Sequence, residues 1–185
     1  FKEFFDRTLN NNNYDSRSDN RFLDNSEREN YIFNSSINGI ENADLIFLIG
    51  ANPRYEATIL NARIRKSYLK NKFNIYSIGN VGDLTYPYTA LSNDTKIVKE
   101  IIEDNHDLSS KIKNSKRPLI IIGEKALSLK SGNYIFEKIK KYLSINGKIN
   151  DEWNALNILS KNASSVGSYD LNILSSNDGE NIVLK

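Results

Sequence analysis

The sequence contains no cysteine and no methionine, and only one histidine, one tryptophan and three prolines in 185 residues. Without cysteine there are no disulfides, no zinc–thiolate sites and no cysteine-ligated iron–sulfur cluster within this chain. The lone histidine, His106, lies in the acidic run Glu103, Asp104 and Asp107. With no second imidazole a transition-metal site is poorly supplied, so a surface position is expected. No G-x-S-x-G elbow accompanies it, which removes the usual serine hydrolase arrangement. Charge of one sign is also missing: 25 basic and 23 acidic residues leave a net charge of +2, interspersed along the chain. That balance offers no basic face for nucleic acid. No apolar run approaches the roughly 20 residues that cross a bilayer. The start, FKEFFDRTLNNNNYD, is too charged for a secretory signal, and its acids argue against a retained transit peptide. Since position 1 is Phe, a trimmed or processed start is expected.

The chain is long enough for one domain, or most of one, with a real core. It is organised around Ala43–Lys70, ADLIFLIGANPRYEATILNARIRKSYLK. Leu45–Ile49 is an unbroken apolar run, the pattern of a strand buried on both faces. A turn through Gly50, Ala51, Asn52 and Pro53 follows, and then a helix to about Lys70. Ala57, Leu60, Ile64 and Tyr68 form its apolar stripe, while Arg63, Lys66 and Lys70 share another, exposed face. Pro53 suits a first helical turn, and Asn52 before it is the expected cap. Two more buried strands, Phe73–Ile78 and Leu119–Ile122, also end at glycines, Gly79 and Gly123.

Helices are expected at Phe1–Leu9, within Tyr31–Ile40, over Thr95–Glu103, around Leu108–Ile112, over Asn133–Ile145 and over Trp153–Ser165. The segment NVGDLTYPYTAL reads as a long loop. Tyr14–Asn30 reads as a polar surface stretch, its charges (Arg17, Asp19, Arg21, Asp24, Glu27, Arg28 and Glu29) forming a solvated face. Beyond Gly167 an extended tail is expected, with a final strand at Ile182–Leu184. The domain plan is a polar extension at 1–30, an α/β domain at 31–150, and a helix and tail at 151–185. The fold class is a layered α/β domain with a mostly parallel, Rossmann-like sheet, incomplete on its own: the strands beyond these three lie in segments read as loops or in a partner polypeptide.

A glycine turn between a parallel strand and a helix can receive a phosphate on free amides at a positive dipole end. Gly50 to Arg54 has that layout, and Arg54 could add a bidentate contact. There is no G-x-G-x-x-G and no G-x-x-x-x-G-K-[ST], and a single glycine also serves any tight turn. Arg54 with Glu56, and Arg63 with Arg65 and Lys66, read as partner-facing or, more simply, as solvent-facing charges. Asp83, Thr85, Tyr86 and Tyr88 lie in the long loop, where functional residues often sit, although tyrosines there are more often packing anchors. Trp153 reads as a core or interface side chain. No catalytic constellation and no metal site emerge from the residues.

The stretch ADLIFLIGANPRYEATILNARIRKSYL resembles the C-terminal region of the large iron–sulfur subunits of respiratory complex I, a region itself similar to molybdopterin oxidoreductases. The likeness continues through YSIGNVGDLTYPYTAL, KRPLIIIGEKAL and DEWNALNILSKNASSVGSYDL, and upstream through ENYIFNSSINGIENAD, covering roughly residues 30 to 171. In molybdopterin enzymes the strand followed by G-x-N-P helps hold the pterin, and Gly50, Asn52 and Pro53 match that pattern. The form with Asn52, Pro53, Arg54 and Glu56 is that of complex I, where the domain carries no molybdenum, so the resemblance implies a vestigial cofactor turn.

It also implies a structural, cluster-free part of the peripheral arm, without catalytic residues or cofactors of its own. Electron transfer from NADH to ubiquinone would be carried by partners: the N-terminal iron–sulfur portion of the same subunit, with its clusters, and neighbouring arm subunits. The implied location is the matrix side of the mitochondrial inner membrane, or the cytoplasmic face of a bacterial membrane. A chain holding only the later part of the subunit implies a split subunit, and the Asn-, Lys-, Ile-, Tyr- and Phe-rich composition fits an AT-rich protist mitochondrion. The alternatives are a molybdopterin-binding oxidoreductase fragment and an unrelated small-nucleotide-binding α/β module.

Overall fold

The computed structural model describes residues 1–11, 14–17 and 21–174. Five strands form one sheet: β1 (Leu45–Ile49), β2 (Asn74–Ile78), β3 (Thr89–Ala90), β4 (Pro118–Gly123) and β5 (Leu156–Leu159), in the order β3-β2-β1-β4-β5. Every pairing between these strands is parallel. β1 lies at the centre, with Leu45 opposite Asn74 on one side and Pro118 on the other. All five residues of β1 and all six of β4 are buried, as a strand covered on both faces requires.

The pleat sorts these residues into two cores. Leu45, Phe47, Ile49, Ile120 and Ile122 face α4 (Lys96–Ile102), α5 (Asp107–Asn114) and α7 (Gly132–Ile145), which contribute Val98, Ile101, Ile112, Phe136 and Ile139. Ile46, Leu48, Leu119 and Ile121 face the other way, towards Leu60 and Ile64 of α3 (Thr58–Asn71), with Leu84 and Tyr86 from the loop after β2. The crossover from β1 to β2 therefore uses one face, and those to β4 and β5 use the opposite face, as right-handed connections running in opposite directions demand. The direction of winding changes between β1 and β4, where doubly wound sheets open a crevice at their carboxyl ends.

The three expected strands are present. β3 lies inside the segment read as a loop, so the fourth strand comes from this chain. The fifth corrects an expectation: Trp153–Ser165 is not a helix but contains the fully buried β5. Leu156, Ile158 and Leu159 are too short a run for periodicity to separate helix from strand, and pairing with β4 decides it. Asn157 within β5 is buried with its amide satisfied, accepting from the Ser35 amide at 2.8 Å and donating to Ser35 Oγ at 3.1 Å and the Ala155 carbonyl at 3.0 Å. Residues 32–35 thereby cover the β5 edge, and the Ile158 amide donates to Ile32 O.

The helix α8 (Ser165–Asp170) replaces the first part of the expected extended tail. The strand expected at Ile182–Leu184 lies outside the described residues. The single helix expected up to Lys70 is broken at Ala57 (φ −154°) into α2 (Pro53–Glu56) and α3. In the expected short helix before β1, α1 spans Ser36–Gly39 and a 3-10 turn follows at Ile40–Asn42. The expected N-terminal helix is a short π-type turn, Phe4–Thr8, with Phe1, Phe4 and Leu9 exposed.

The polar stretch Tyr14–Asn30 is not wholly a solvated face: Tyr14, Arg21 and Asn30 are buried. Arg21 forms an ion pair with Glu124, in α6 (Glu124–Leu127), and donates to the Tyr169 hydroxyl of α8. The local pattern of polar residues carries no sign of this, because burial of Arg21 depends on an acid far away in the chain.

Candidate functional site

The crevice at the carboxyl ends of β1 and β4 is shaped first by two glycines. Gly50 has φ +60°, and a Cβ there would lie 2.6 Å from the Ala126 amide nitrogen. A Cβ on Gly123 would lie 2.3 Å from the Gly50 carbonyl oxygen and 2.8 Å from Ala51 Cα. Both glycines are thus required by the approach of one strand-end turn to the other. The space that a ligand phosphate would need against a bare backbone is taken up here by the backbone of the neighbouring turn.

The amides and cations of the turn also have partners within the chain. Pro53 opens α2 as expected, and Asn52 stands at the N-cap position. Its side chain does not cap, contrary to expectation; Asn52 Nδ2 instead donates to the Val81 carbonyl at 2.8 Å. The capping contact runs the other way: the backbone amide of Asn52 donates to Glu56 Oε2 at 2.9 Å. The Glu56 side chain is only 6% exposed, with Lys125 Nζ 3.9 Å from its other oxygen. Arg54 Nη1 donates to the Asp83 carboxylate at 2.6 Å and to the Asp83 carbonyl at 2.5 Å, which ties α2 to the loop after β2.

This arrangement does not fit an anionic phosphate. The amide that would receive it holds a carboxylate, and the guanidinium that would clamp it holds another. The Glu56 carboxylate, only 6% exposed, would repel a phosphate dianion placed at the same amide. The orphaned polar atom of the turn, Asn52 Oδ1, is a buried acceptor without a partner. It asks for a donor, which a phosphate dianion lacks. A small hollow beside the turn, about 420 Å³, is lined by Asn52, Tyr55, Glu56, Lys125 and Lys161. The two lysines follow β4 and β5, and nothing in the sequence singles them out because neither lies near the turn in the chain.

The other candidates separate into anchors and surface groups. Tyr86 donates its buried hydroxyl to Asn61 Oδ1 at 2.8 Å, and burial pushes its pKa up. Asn61 Nδ2 in turn donates to the Leu84 carbonyl at 3.0 Å, fixing the loop to α3. Tyr88 bonds Asn80 Oδ1 and the Val81 amide. Asp83 Oδ1 accepts from the Thr85 amide at 2.7 Å, where Thr85 is held at φ +70°. That bond, with Arg54 second, keeps the Asp83 carboxyl below its usual range.

Arg63 and Lys66 both meet Glu41. His106 caps α5, its Nδ1 accepting from the Leu108 amide at 3.0 Å. Trp153 donates to the Pro118 carbonyl at 2.8 Å and lies under Arg117. The structure brings Asn52, Arg54, Glu56 and Asp83 together, while His106 and Trp153 stand apart from them. Among the described residues no group of three or more His, Asp or Glu is placed to hold a metal ion, and no helix is long and apolar enough to cross a membrane.

Comparison with known proteins places this geometry. The model of the family described as molybdopterin oxidoreductase matches residues 1–183. The NADH-ubiquinone oxidoreductase 75 kDa subunit of Reclinomonas americana is 42% identical over 160 residues, which is 86% of this chain and 23% of that protein. The mitochondrial 78 kDa subunit of the same enzyme from Neurospora crassa is 39% identical over 146 residues, 78% of this chain and 19% of that protein. A bacterial relative, an NADH-quinone oxidoreductase subunit from Rickettsia bellii, is 37% identical over 160 residues, 86% of this chain and 24% of that protein. The chain therefore spans about a quarter or less of the length of these relatives. With a parallel sheet wound from one centre and a family match along nearly its whole length, the chain belongs to the molybdopterin oxidoreductase family, and its homologues are subunits of complex I.

Proposed function

We propose that this domain is a structural part of the peripheral arm of complex I, supporting electron transfer from NADH to ubiquinone without carrying a redox group itself. The observation that bears most weight is the strand-end turn, whose Asn52 amide and Arg54 guanidinium are taken by Glu56 and Asp83. A family turn that binds its own carboxylates has scaffolding left to do and no pterin phosphate to hold. In support, the relatives at 37–42% identity are named as subunits of NADH-ubiquinone or NADH-quinone oxidoreductases. The electrons would pass through iron–sulfur clusters on the partner portion, since a chain without cysteine offers no thiolate for them. The partners would be that portion and its neighbours in the arm, on the matrix side of the mitochondrial inner membrane or the equivalent bacterial face.

Family membership favours one competing reading, a domain that still binds molybdopterin. Purification of the tagged chain from detergent-solubilised membranes tests both. Recovery with NADH dehydrogenase activity and its subunits, with neither molybdenum nor pterin fluorescence in proportion to the chain, is the expected result. Stoichiometric molybdenum overturns the structural reading.

A further inference from the structure

Helix α3 carries apolar residues on two faces, and the fold uses only one of them. Leu60 and Ile64 enter the core, with Asn61 and Ser67 beside them. On the opposite side the apolar Ile59, Ala62 and Leu69 share one face, with Lys66, held by Glu41, between the last two; the four follow at spacings of three and four. Ile59 is 70% exposed and Leu69 57% exposed. Tyr55, 81% exposed at the end of α2, extends this face towards a groove of about 500 Å³ lined by Phe33, Ile37, Ile59 and Leu159 among others. Single exposed apolar side chains are ordinary, but a row of them continuous with an apolar groove marks an interaction surface.

Cations outnumber acids along this row, where Glu41 is the acid paired to α3. The α3 sequence, TILNARIRKSYLKN, holds Arg63, Arg65, Lys66 and Lys70 and no acid. Glu41 balances Arg63 and Lys66, whereas Arg65 and Lys70 form no ion pair among the described residues. An occupant with apolar residues at helical spacing and carboxylates along its flanks is complementary in both respects. The relatives supply a source, for in each of them more than three quarters of the polypeptide lies beyond the matched region.

We propose that the outward face of α2 and α3, with the groove beside it, docks an acid-flanked amphipathic helix from that remaining portion of the complex I subunit. The inference rests on the proposed function. To test it, a photo-reactive benzoylphenylalanine replaces Ile59 in the tagged chain, membranes are irradiated and solubilised, and the cross-linked peptide is identified by mass spectrometry. The expected adduct is a peptide of the remaining portion with Asp or Glu flanking an apolar face. An adduct with residues 175–185 of this chain, with a second copy of it, or with nothing, in material that co-migrates with NADH dehydrogenase, overturns the docking surface alone. Absence of the chain from the NADH dehydrogenase fraction overturns the proposed function and the surface with it. The double variant Ile59→Asp, Leu69→Asp provides an independent reading. Its midpoint of thermal unfolding is expected to stay within about 2 °C of the parent, as for exposed sites, while co-migration falls at least about tenfold. Undiminished co-migration overturns the proposal.

Discussion

The Glu56 carboxylate accepts the backbone amide of Asn52 at 2.9 Å, so the first turn of α2 is closed by a residue from within the same turn. Helix starts usually leave such amides to a side chain before the helix or to a bound anion. Here the Asn52 side chain reaches across to Val81 instead, and the acid four positions on takes its place. The turn keeps the outline of an anion site while holding an anion that cannot leave.

Replacement of Glu56 measures how much that closure matters. Glu56→Ala leaves the Asn52 amide without its acceptor, and a loss of about 1–2 kcal/mol in unfolding free energy is expected. Glu56→Gln keeps an acceptor in place and is expected to recover at least half of that loss. Denaturant unfolding of the three proteins checks the order. Equal stability of the parent and Glu56→Ala would show that the carboxylate contributes nothing to the turn.

The glycines give a graded series. Gly50→Ala combines an unfavourable φ of +60° with a Cβ 2.6 Å from the Ala126 nitrogen, and about 3 kcal/mol or more is expected. Gly123→Ala has a permitted backbone (φ −89°) but a 2.3 Å clash with the Gly50 carbonyl, for about 2 kcal/mol. Gly82→Ala has φ +74° and nothing within 4 Å, so only the conformational cost of about 1 kcal/mol remains. Thermal unfolding midpoints should fall in that order. A Gly82 variant as damaged as the Gly50 one would mean that φ, not the contact between the two turns, governs the site.

Much of this fold is legible in the sequence because two apolar runs, Leu45–Ile49 and Leu119–Ile122, are pure enough to be strands buried on both faces, and Phe73–Ile78 is interrupted only by Asn74 and Ser77. Two strands escape the same reading for different reasons. Thr89 and Ala90 are both exposed and make too short a strand to show a period. Leu156–Leu159 carries a polar Asn157 in its middle, satisfied by Ser35 from a distant segment. The site follows the same pattern. Gly50, Asn52, Pro53 and Arg54 are visible as a turn, but the destinations of Asn52 and Arg54, at Val81 and Asp83, depend on a loop whose course local sequence does not encode. Arg21 reads as a solvated charge because its acid, Glu124, is brought to it only by the folded sheet.

The response to pH has two limbs. Hydrogen bonds from Arg28 and then Tyr31 hold the Asp170 carboxyl below its usual range, as the Thr85 amide and then Arg54 hold that of Asp83. A depressed carboxylate stabilises the fold above its unfolded value of about 4 and loses that contribution as pH falls through the folded value. Stability should therefore decline below about pH 4, with a shallower decline in Asp83→Asn. Burial raises the Tyr86 pKa and pushes that of Tyr142 up to about 12. A raised phenol stabilises fully below its unfolded value of about 10 and loses that contribution as pH rises through the folded value. Stability should fall above about pH 10, less steeply in Tyr86→Phe. Thermal midpoints across the range check both limbs, and a variant with unchanged slope would remove that residue from the account.

The Arg21–Glu124 pair is 4% and 9% exposed, so its worth depends on whether both charges remain. Glu124 is also the acceptor for the Ser160 hydroxyl at 3.0 Å and the Lys161 amide at 2.8 Å, which join the ends of β4 and β5. Arg21→Met leaves a carboxylate buried with neutral donors alone, and a loss of about 3–5 kcal/mol is expected. Glu124→Gln removes the carboxylate from the Arg21 guanidinium but keeps a polar group near Ser160. The double variant removes both charges together, and its loss should be smaller than the sum of the two single losses by about 2 kcal/mol or more. A double-mutant cycle in denaturant measures that difference directly. Additive losses would mean that the N-terminal segment is held by its other contacts, with the ion pair a bystander.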